Sequence, residues 1–223
     1  MSNIEYYNED CMAGMARYPD KHFDLAIVDP PYGIGVNKMQ LGNGKRKIYR
    51  GKDDWDKEPP SEEYFKELFR VSKNQIIWGG NYFKLPPTRC FLIWDKQLPE
   101  GFSFASCEFA WTSYDLSAKT FYKRPQGQDG GNRIHPTQKP VALYKWLLTN
   151  YAKPGDLILD THVGSASSLI ACHDLGFSAV GFEIDEEYYR ISLERLQKHQ
   201  RQIRFDLPEP EPDKLEQMVL DQC

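Results

Sequence analysis

Short apolar runs alternate with amphipathic stretches along most of this chain. Ile4 to Asn8 reads as a strand, Cys11 to Arg17 carries a helical spacing, and Phe23 to Val28 is an apolar run too short for a helix. Strand, helix, strand is the opening unit of a parallel sheet. A helix is predicted over about Ser61 to Val71. Strands follow at Asn74 to Trp78, closed by Gly79-Gly80-Asn81, then at Cys90 to Trp94 and Glu108 to Trp111. Pro140 opens a helix whose apolar stripe is Val141, Tyr144, Leu147, Leu148 and Tyr151. Pro154-Gly155-Asp156 turns into a buried strand, Leu157 to Leu159, and the small-residue loop Asp160 to Ser168 enters a helix through Leu169 and Leu175. Ala179 to Phe182 is a further strand ending at Glu183, and a last helix covers about Glu187 to His199. The pattern predicts one α/β domain over residues 1–205, with a mostly parallel sheet of six or seven strands.

Three segments break the pattern. Residues 37–60 are polar and contain Lys38, Lys45, Arg46, Lys47, Arg50 and Lys52, a basic loop suited to a phosphate backbone or, equally, a solvated surface insertion. Residues 113–133 hold Pro125, Gly127, Gly130 and Gly131 and read as irregular. From Asp206 to the end the chain is acidic and proline-rich, as expected of an extended tail. The net charge of −4 excludes a uniformly basic coat but leaves room for a local basic patch. No apolar run reaches the roughly 18 to 20 residues of a membrane span. With no secretory pattern at the start and no CxxC among its cysteines, the chain is expected in the cytoplasm. His22, His135, His162, His173 and His199 lack metal-ligand spacing, so no metal is expected.

Candidate chemistry lies where strands end. Asp29-Pro30-Pro31-Tyr32 follows the run Phe23 to Val28. Two prolines remove two backbone donors, and the carboxylate and the Pro30 carbonyl are left as acceptors in the crevice beyond the strand. Such a pair accepts both hydrogens of an exocyclic amino group, and Tyr32 offers a face to a flat base. The suggested chemistry is transfer to an amine nitrogen. A second site is predicted at Asp160 to Ser168, where small residues permit close approach of a ligand. One strand later Glu183 is placed to accept hydrogen bonds from ribose hydroxyls. Without GxGxxG or a lysine-bearing phosphate loop, a nucleoside without a phosphate chain fits better than a dinucleotide, and S-adenosylmethionine is the candidate.

Together Asp29-Pro30-Pro31-Tyr32, His135-Pro136-Thr137-Gln138-Lys139-Pro140, and Asp160 to Ser168 followed by Gly181-Phe182-Glu183-Ile184-Asp185 resemble the amino-methylating DNA methyltransferases, which act on adenine N6 or cytosine N4. The catalytic motif precedes the cofactor motif, as in the permuted β class. The resemblance implies a Rossmann-like fold with a mostly parallel seven-stranded sheet and helices on both faces, S-adenosylmethionine as cofactor and DNA as partner. It implies that Asp29 and Pro30, with Pro31 stiffening the turn, hold the target amino group while Tyr32 stacks on the flipped base. Glu183 would bind ribose, Asp10 would approach the adenine ring, and Thr137 and Lys139 would touch the cofactor carboxylate. Asp160, His162, Gly164, Ser165, Ala166 and Ser167 would shape the rest of that pocket. Asp rather than Ser before Pro-Pro-Tyr leans toward adenine N6, with cytosine N4 or RNA adenine as the alternative. Two positions depart from the family pattern: His162 stands where an aromatic is usual and Ala166 where a second glycine is usual. An extra methyl at Ala166 is expected to crowd the cofactor, which keeps a catalytically silent homologue as a further alternative. Residues 113–133 are short for target recognition, so base reading would be shared with the basic loop or with a second subunit in a homodimer.

Overall fold

The structure, a computed structural model, describes residues 2–35, 56–99, 105–125 and 134–202. All six basic-loop cations, the end of the 113–133 segment and the acidic tail lie outside them. The elements in chain order are β1 (Ile4–Asn8), α1 (Cys11–Met15), β2 (Phe23–Val28), α2 (Glu62–Val71), β3 (Ser72–Trp78), β4 (Phe91–Asp95), β5 (Cys107–Thr112), β6 (Lys119–Tyr122), α3 (Val141–Tyr151), β7 (Leu157–Asp160), α4 (Ser167–Leu175), β8 (Ser178–Glu183) and α5 (Glu186–Gln200), with a 3-10 turn at Gly80–Tyr82.

Among the described residues eight strands form one sheet, in the order β1-β8-β7-β2-β3-β5-β4-β6. β1, β8, β7, β2 and β3 run parallel to one another, β5 is antiparallel to both its neighbours, and β6 is parallel to β4. The sheet is mostly parallel, as expected, but one strand wider than the seven expected. The extra strand, β6, falls inside the 113–133 segment. It is short and largely exposed, so backbone pairing with β4 holds it rather than an apolar pattern that sequence could reveal.

Alternation along the central strands divides the core between the two faces. Leu25, Ile27, Ile76, Trp78 and Ile158 face α3 and α4, where Leu143, Leu147, Leu169 and Ile170 cover them. Ala26, Val28, Ile77 and Leu159 face the side covered by Met15 of α1 and by Tyr64, Phe65 and Leu68 of α2. Helices thus cover both faces, and each fully buried large side chain contributes about 1.5–3 kcal/mol of hydrophobic stabilisation. Caps set the helix starts: Ser61 Oγ accepts from Tyr64 N, and Asp185 Oδ1 accepts from Glu187 N and Tyr188 N. The chain runs outward from β2 in one direction and from its neighbour β7 in the other, so a crevice opens at the carboxyl ends of this pair.

Candidate active site

Because β2, β7 and β8 are parallel, Asp29, Asp160 and Glu183 emerge at the same edge of the sheet. β5 runs the other way, pairing Ala110 with Trp78, so its beginning brings Glu108 to that edge beyond the end of β3. Lys96, just past the end of β4, arrives beside it. Lys139 comes from the segment leading into α3 and is almost wholly buried.

These side chains form a row of alternating charge. Lys96 Nζ lies 2.8 Å from Glu108 Oε1, Lys139 Nζ lies 3.0 Å from Glu108 Oε2, and Lys139 Nζ donates to Asp29 Oδ2 at 2.5 Å. The Lys139 contact to Glu108 is one of charge, outside hydrogen-bond geometry. Tyr32 Oη donates to Asp29 Oδ1 at 2.7 Å and receives a long contact of 3.4 Å from Lys139 Nζ. Burial raises the Asp29 carboxyl above its ordinary range, and the Glu108 charge adds to this against the pull of Lys139. Burial also opposes the Glu108 charge, but Lys139 and Lys96 outweigh it and hold that carboxyl low. Lys139 remains a cation because its two carboxylates overcome the cost of its burial.

Lys139 was expected at a cofactor carboxylate. Its donors are instead directed at Asp29, Glu108 and Tyr32, so the residue belongs with the Asp29 motif.

Tyr32 is held from behind by Gly79, which has φ +70°; a Cβ at that position would stand 2.2 Å from Tyr32 Cε1. The Tyr32 ring stacks on Tyr82 with centroids 5.0 Å apart and planes 16° apart, while Tyr82 itself is half exposed. That spacing is already stacking contact, so this face of Tyr32 is covered by Tyr82. Asp56 fixes the turn after Tyr32. It is buried, accepts from Gly33 N at 2.9 Å through Oδ1, and accepts from Gly35 N through its carbonyl.

The second half of the crevice is built on β7 and β8. Glu183 accepts one backbone hydrogen bond on each oxygen, from Gly164 N and Asp185 N at 2.9 Å, which leaves each oxygen a lone pair for a hydroxyl donor. Burial pushes its carboxyl up to about 7. Asp160 accepts from His162 N and Ser168 Oγ, and burial raises it to about 6. Asp10 caps α1 through Oδ1, accepting from Met12 N and Ala13 N. His162 Nδ1 pairs with Thr161 Oγ1, its ring meets Tyr64 edge-on, and burial pushes its pKa down to about 4, so the ring is neutral at pH 7.

Ala166 adopts φ +59°, the left-handed conformation that favours glycine, but it is fully buried in the core cluster with Val163 and Leu169. Its methyl group belongs to that core, and the departure from glycine is registered as backbone strain of about 1–2 kcal/mol. Ser165 and Ser167 are also buried. Their hydroxyls pair with each other, and Arg195 of α5 donates to the Ser165 carbonyl and to Ser167 Oγ, tying the loop down from below. Thr137 bonds to His135 Nδ1, and the His135 ring packs on Tyr188 and beside Gly164. Among the described residues no cluster of three or more His, Cys, Asp or Glu is placed to hold a metal, and no helix is long and apolar enough to cross a membrane.

Glu108, Lys96, Asp56, Tyr82 and Arg195 were not anticipated. Only Glu108 carried a readable signal, a charge inside the apolar run Cys107 to Trp111.

The arrangement offers a carboxylate acceptor next to an aromatic ring, across a crevice from a second carboxylate suited to hydroxyls. Known proteins resemble this chain over most of its length. YubD of Escherichia coli (strain K12), named as a methylase, is 28% identical over 217 residues, covering 87% of this chain and 91% of its own length. The crystal structure of M1.HpyAVI in complex with SAM superposes with a TM-score of 0.55 at 20% identity, covering 86% of this chain and 99% of that one. The PvuII DNA methyltransferase, described as cytosine-N4-specific, gives a TM-score of 0.59 at 14% identity, covering 89% and 92%. The N6/N4 DNA methylase family model matches residues 77–194, from the end of β3 into α5, including both the 135–140 and 160–168 segments. That stretch is more than half of the chain, and on it the chain belongs to the family of N6/N4 DNA methylases.

Proposed function

We propose that this protein transfers a methyl group from S-adenosylmethionine to the N6 amino group of adenine in DNA. The observation that carries the reading is the Asp29 carboxylate, set in a donor-poor Pro-Pro turn at the end of β2 and facing the crevice it shares with β7. The donor set fits the cofactor. Glu183 has a lone pair left on each oxygen for the two ribose hydroxyls, Asp10 and the neutral His162 ring would border the base, and Gly164, beside His135, would admit close approach. When bound, S-adenosylmethionine supplies an electrophilic methyl group on a sulfonium.

The chain's own residues do the rest. The lone pair of an aromatic amino group is delocalised into the ring, so the nitrogen is a weak nucleophile while planar. Asp29 and the Pro30 carbonyl accept its two hydrogens, favour the pyramidal form and direct the lone pair. Tyr32 stacks on the flipped base once Tyr82 gives way, with base extrusion costing on the order of a few kcal/mol. Alignment rather than covalent catalysis supplies most of the acceleration. The nitrogen sheds one proton on methylation, and Asp29, whose carboxyl is already raised by burial, is the acceptor in reach.

The test is transfer of labelled methyl from S-adenosylmethionine to unmethylated DNA, with nucleoside analysis of the product. N6-methyladenine is expected. Asp29→Ala should lose transfer while calorimetry shows unchanged cofactor binding, and retained transfer in that variant removes the role given to Asp29. Cytosine N4 is the second reading, favoured by the fold shared with the PvuII enzyme, and N4-methylcytosine in the product would replace the first.

A further inference from the structure

The row Lys96, Glu108, Lys139, Asp29 holds one carboxylate more than a simple catalytic ion pair requires. Lys139 sits between two carboxylates, 2.5 Å from Asp29 Oδ2 and 3.0 Å from Glu108 Oε2. Glu108 is reached on its other oxygen by Lys96 at 2.8 Å. The side chains come from four different places in the fold, and all are largely buried. Burying two charges suffices for a pair; burying four in alternation makes the strength of each contact depend on the others.

We propose that Glu108 is a positioning residue for methyl transfer: it shares the Lys139 ammonium with Asp29 and so sets how tightly that ammonium grips the acceptor. The inference rests on the methyl-transfer reading above. Asp29 has to be ionised to accept from an amino group, which Lys139 favours. An ammonium committed wholly to Asp29 would occupy the lone pairs that the amino group needs. Glu108 draws part of the ammonium's charge toward β5 and leaves Asp29 a stronger acceptor. Lys96 sets the limit, since its charge holds the other oxygen of Glu108 and restrains the pull of that carboxylate on Lys139. Among the described residues the other titratable groups facing Asp29 are Tyr32 of its own turn, Tyr64 of α2, Tyr144 of α3 and Asp160 of β7. The three tyrosines remain neutral, being raised well above their ordinary range by burial. Asp160 adds a negative charge whose effect is the same in every variant below.

The test uses the full chain and two neutralising variants. In Glu108→Gln the competing charge is gone, so the Asp29 titration midpoint, followed by carbon-13 carboxyl NMR, should fall by about one pH unit. Lys96→Met frees Glu108 to pull on Lys139, and the midpoint should move the opposite way. In transfer assays Glu108→Gln should lose roughly tenfold or more in kcat at neutral pH, with its acid limb displaced downward and KM for S-adenosylmethionine unchanged. A purely structural Glu108 would lower the melting temperature without moving either the titration or the acid limb. An Asp29 midpoint unchanged in both variants overturns the proposal, as does a displaced midpoint with kcat unchanged. A parent protein that transfers no methyl group but shows the opposed NMR shifts would remove the methyl-transfer reading while supporting the charge sharing.

Discussion

Replacing Lys139 by methionine keeps the length of the side chain and removes its charge, leaving Asp29 and Glu108 as two buried carboxylates without the cation between them. Lys139 is 2% exposed as a side chain, Asp29 17% and Glu108 22%, so solvent replaces little of what is lost. At an effective dielectric near 20 each contact at these distances has a gross attraction of about 6 kcal/mol, most of which is offset by desolvation of the three groups. Breaking such a buried arrangement from one side costs about 3–5 kcal/mol. Part of that cost is recoverable by protonation. Burial and the Glu108 charge already raise Asp29, and losing Lys139 raises it further. A carboxyl whose folded pKa exceeds its unfolded value is favoured in the fold when protonated, and that stability is lost as pH rises through the folded pKa. The deficit of Lys139→Met relative to the parent should therefore be largest near pH ~8 and shrink toward pH ~5, by at most about 1.4 kcal/mol per pH unit for one proton. Denaturant unfolding of both proteins across this range measures it. A deficit under about 1 kcal/mol, or one that grows as pH falls, would refute the reasoning.

Glu183, raised to about 7 by burial, accepts ribose hydroxyls better when ionised, so S-adenosylmethionine should bind more tightly at pH ~8 than at pH ~6, and Glu183→Gln should bind weakly at both. Calorimetry decides this, and equal affinity of the parent at the two pH values would sink the assignment. Gly79→Ala combines backbone strain of about 1–2 kcal/mol at φ +70° with a Cβ 2.2 Å from Tyr32 Cε1. It should lower the melting temperature and reduce transfer by roughly tenfold or more as Tyr32 leaves its place. An unchanged transfer rate would show that the Tyr32 position does not matter.

What could be read from sequence depended on whether a residue's role follows from its place in an element. Asp29, Asp160 and Glu183 each terminate an apolar run, and in a parallel sheet all such ends share one edge, so their convergence followed from the strand pattern. Glu108 reaches the same edge from the start of an antiparallel strand. Nothing in the run Cys107 to Trp111 reveals its direction, which is set by its pairing with β3. Lys96 and Asp56 lie in connections whose course depends on tertiary contacts. Ala166 shows the opposite case: its departure from glycine was visible, but which way its methyl points depends on the core beneath α4.

Lys139 shows why motif reading and placement part company. The segment His135 to Pro140 is read most simply as a cofactor contact, since it resembles one, yet its two ends do different things. His135 lies against Gly164 and Tyr188, at the β7–β8 half of the crevice, and bonds Thr137 through Nδ1, while a little further on Lys139 is the counter-ion of Asp29 at the β2 half. Pro136 and Pro140 fix two φ angles within the segment and so stiffen the link between the two halves. The connection also accounts for how the permuted order is tolerated. The Asp29 turn precedes the Asp160 loop in the chain, but the geometry between them is set by β2 pairing with β7 and by this strap across their ends, and neither depends on which half is encoded first.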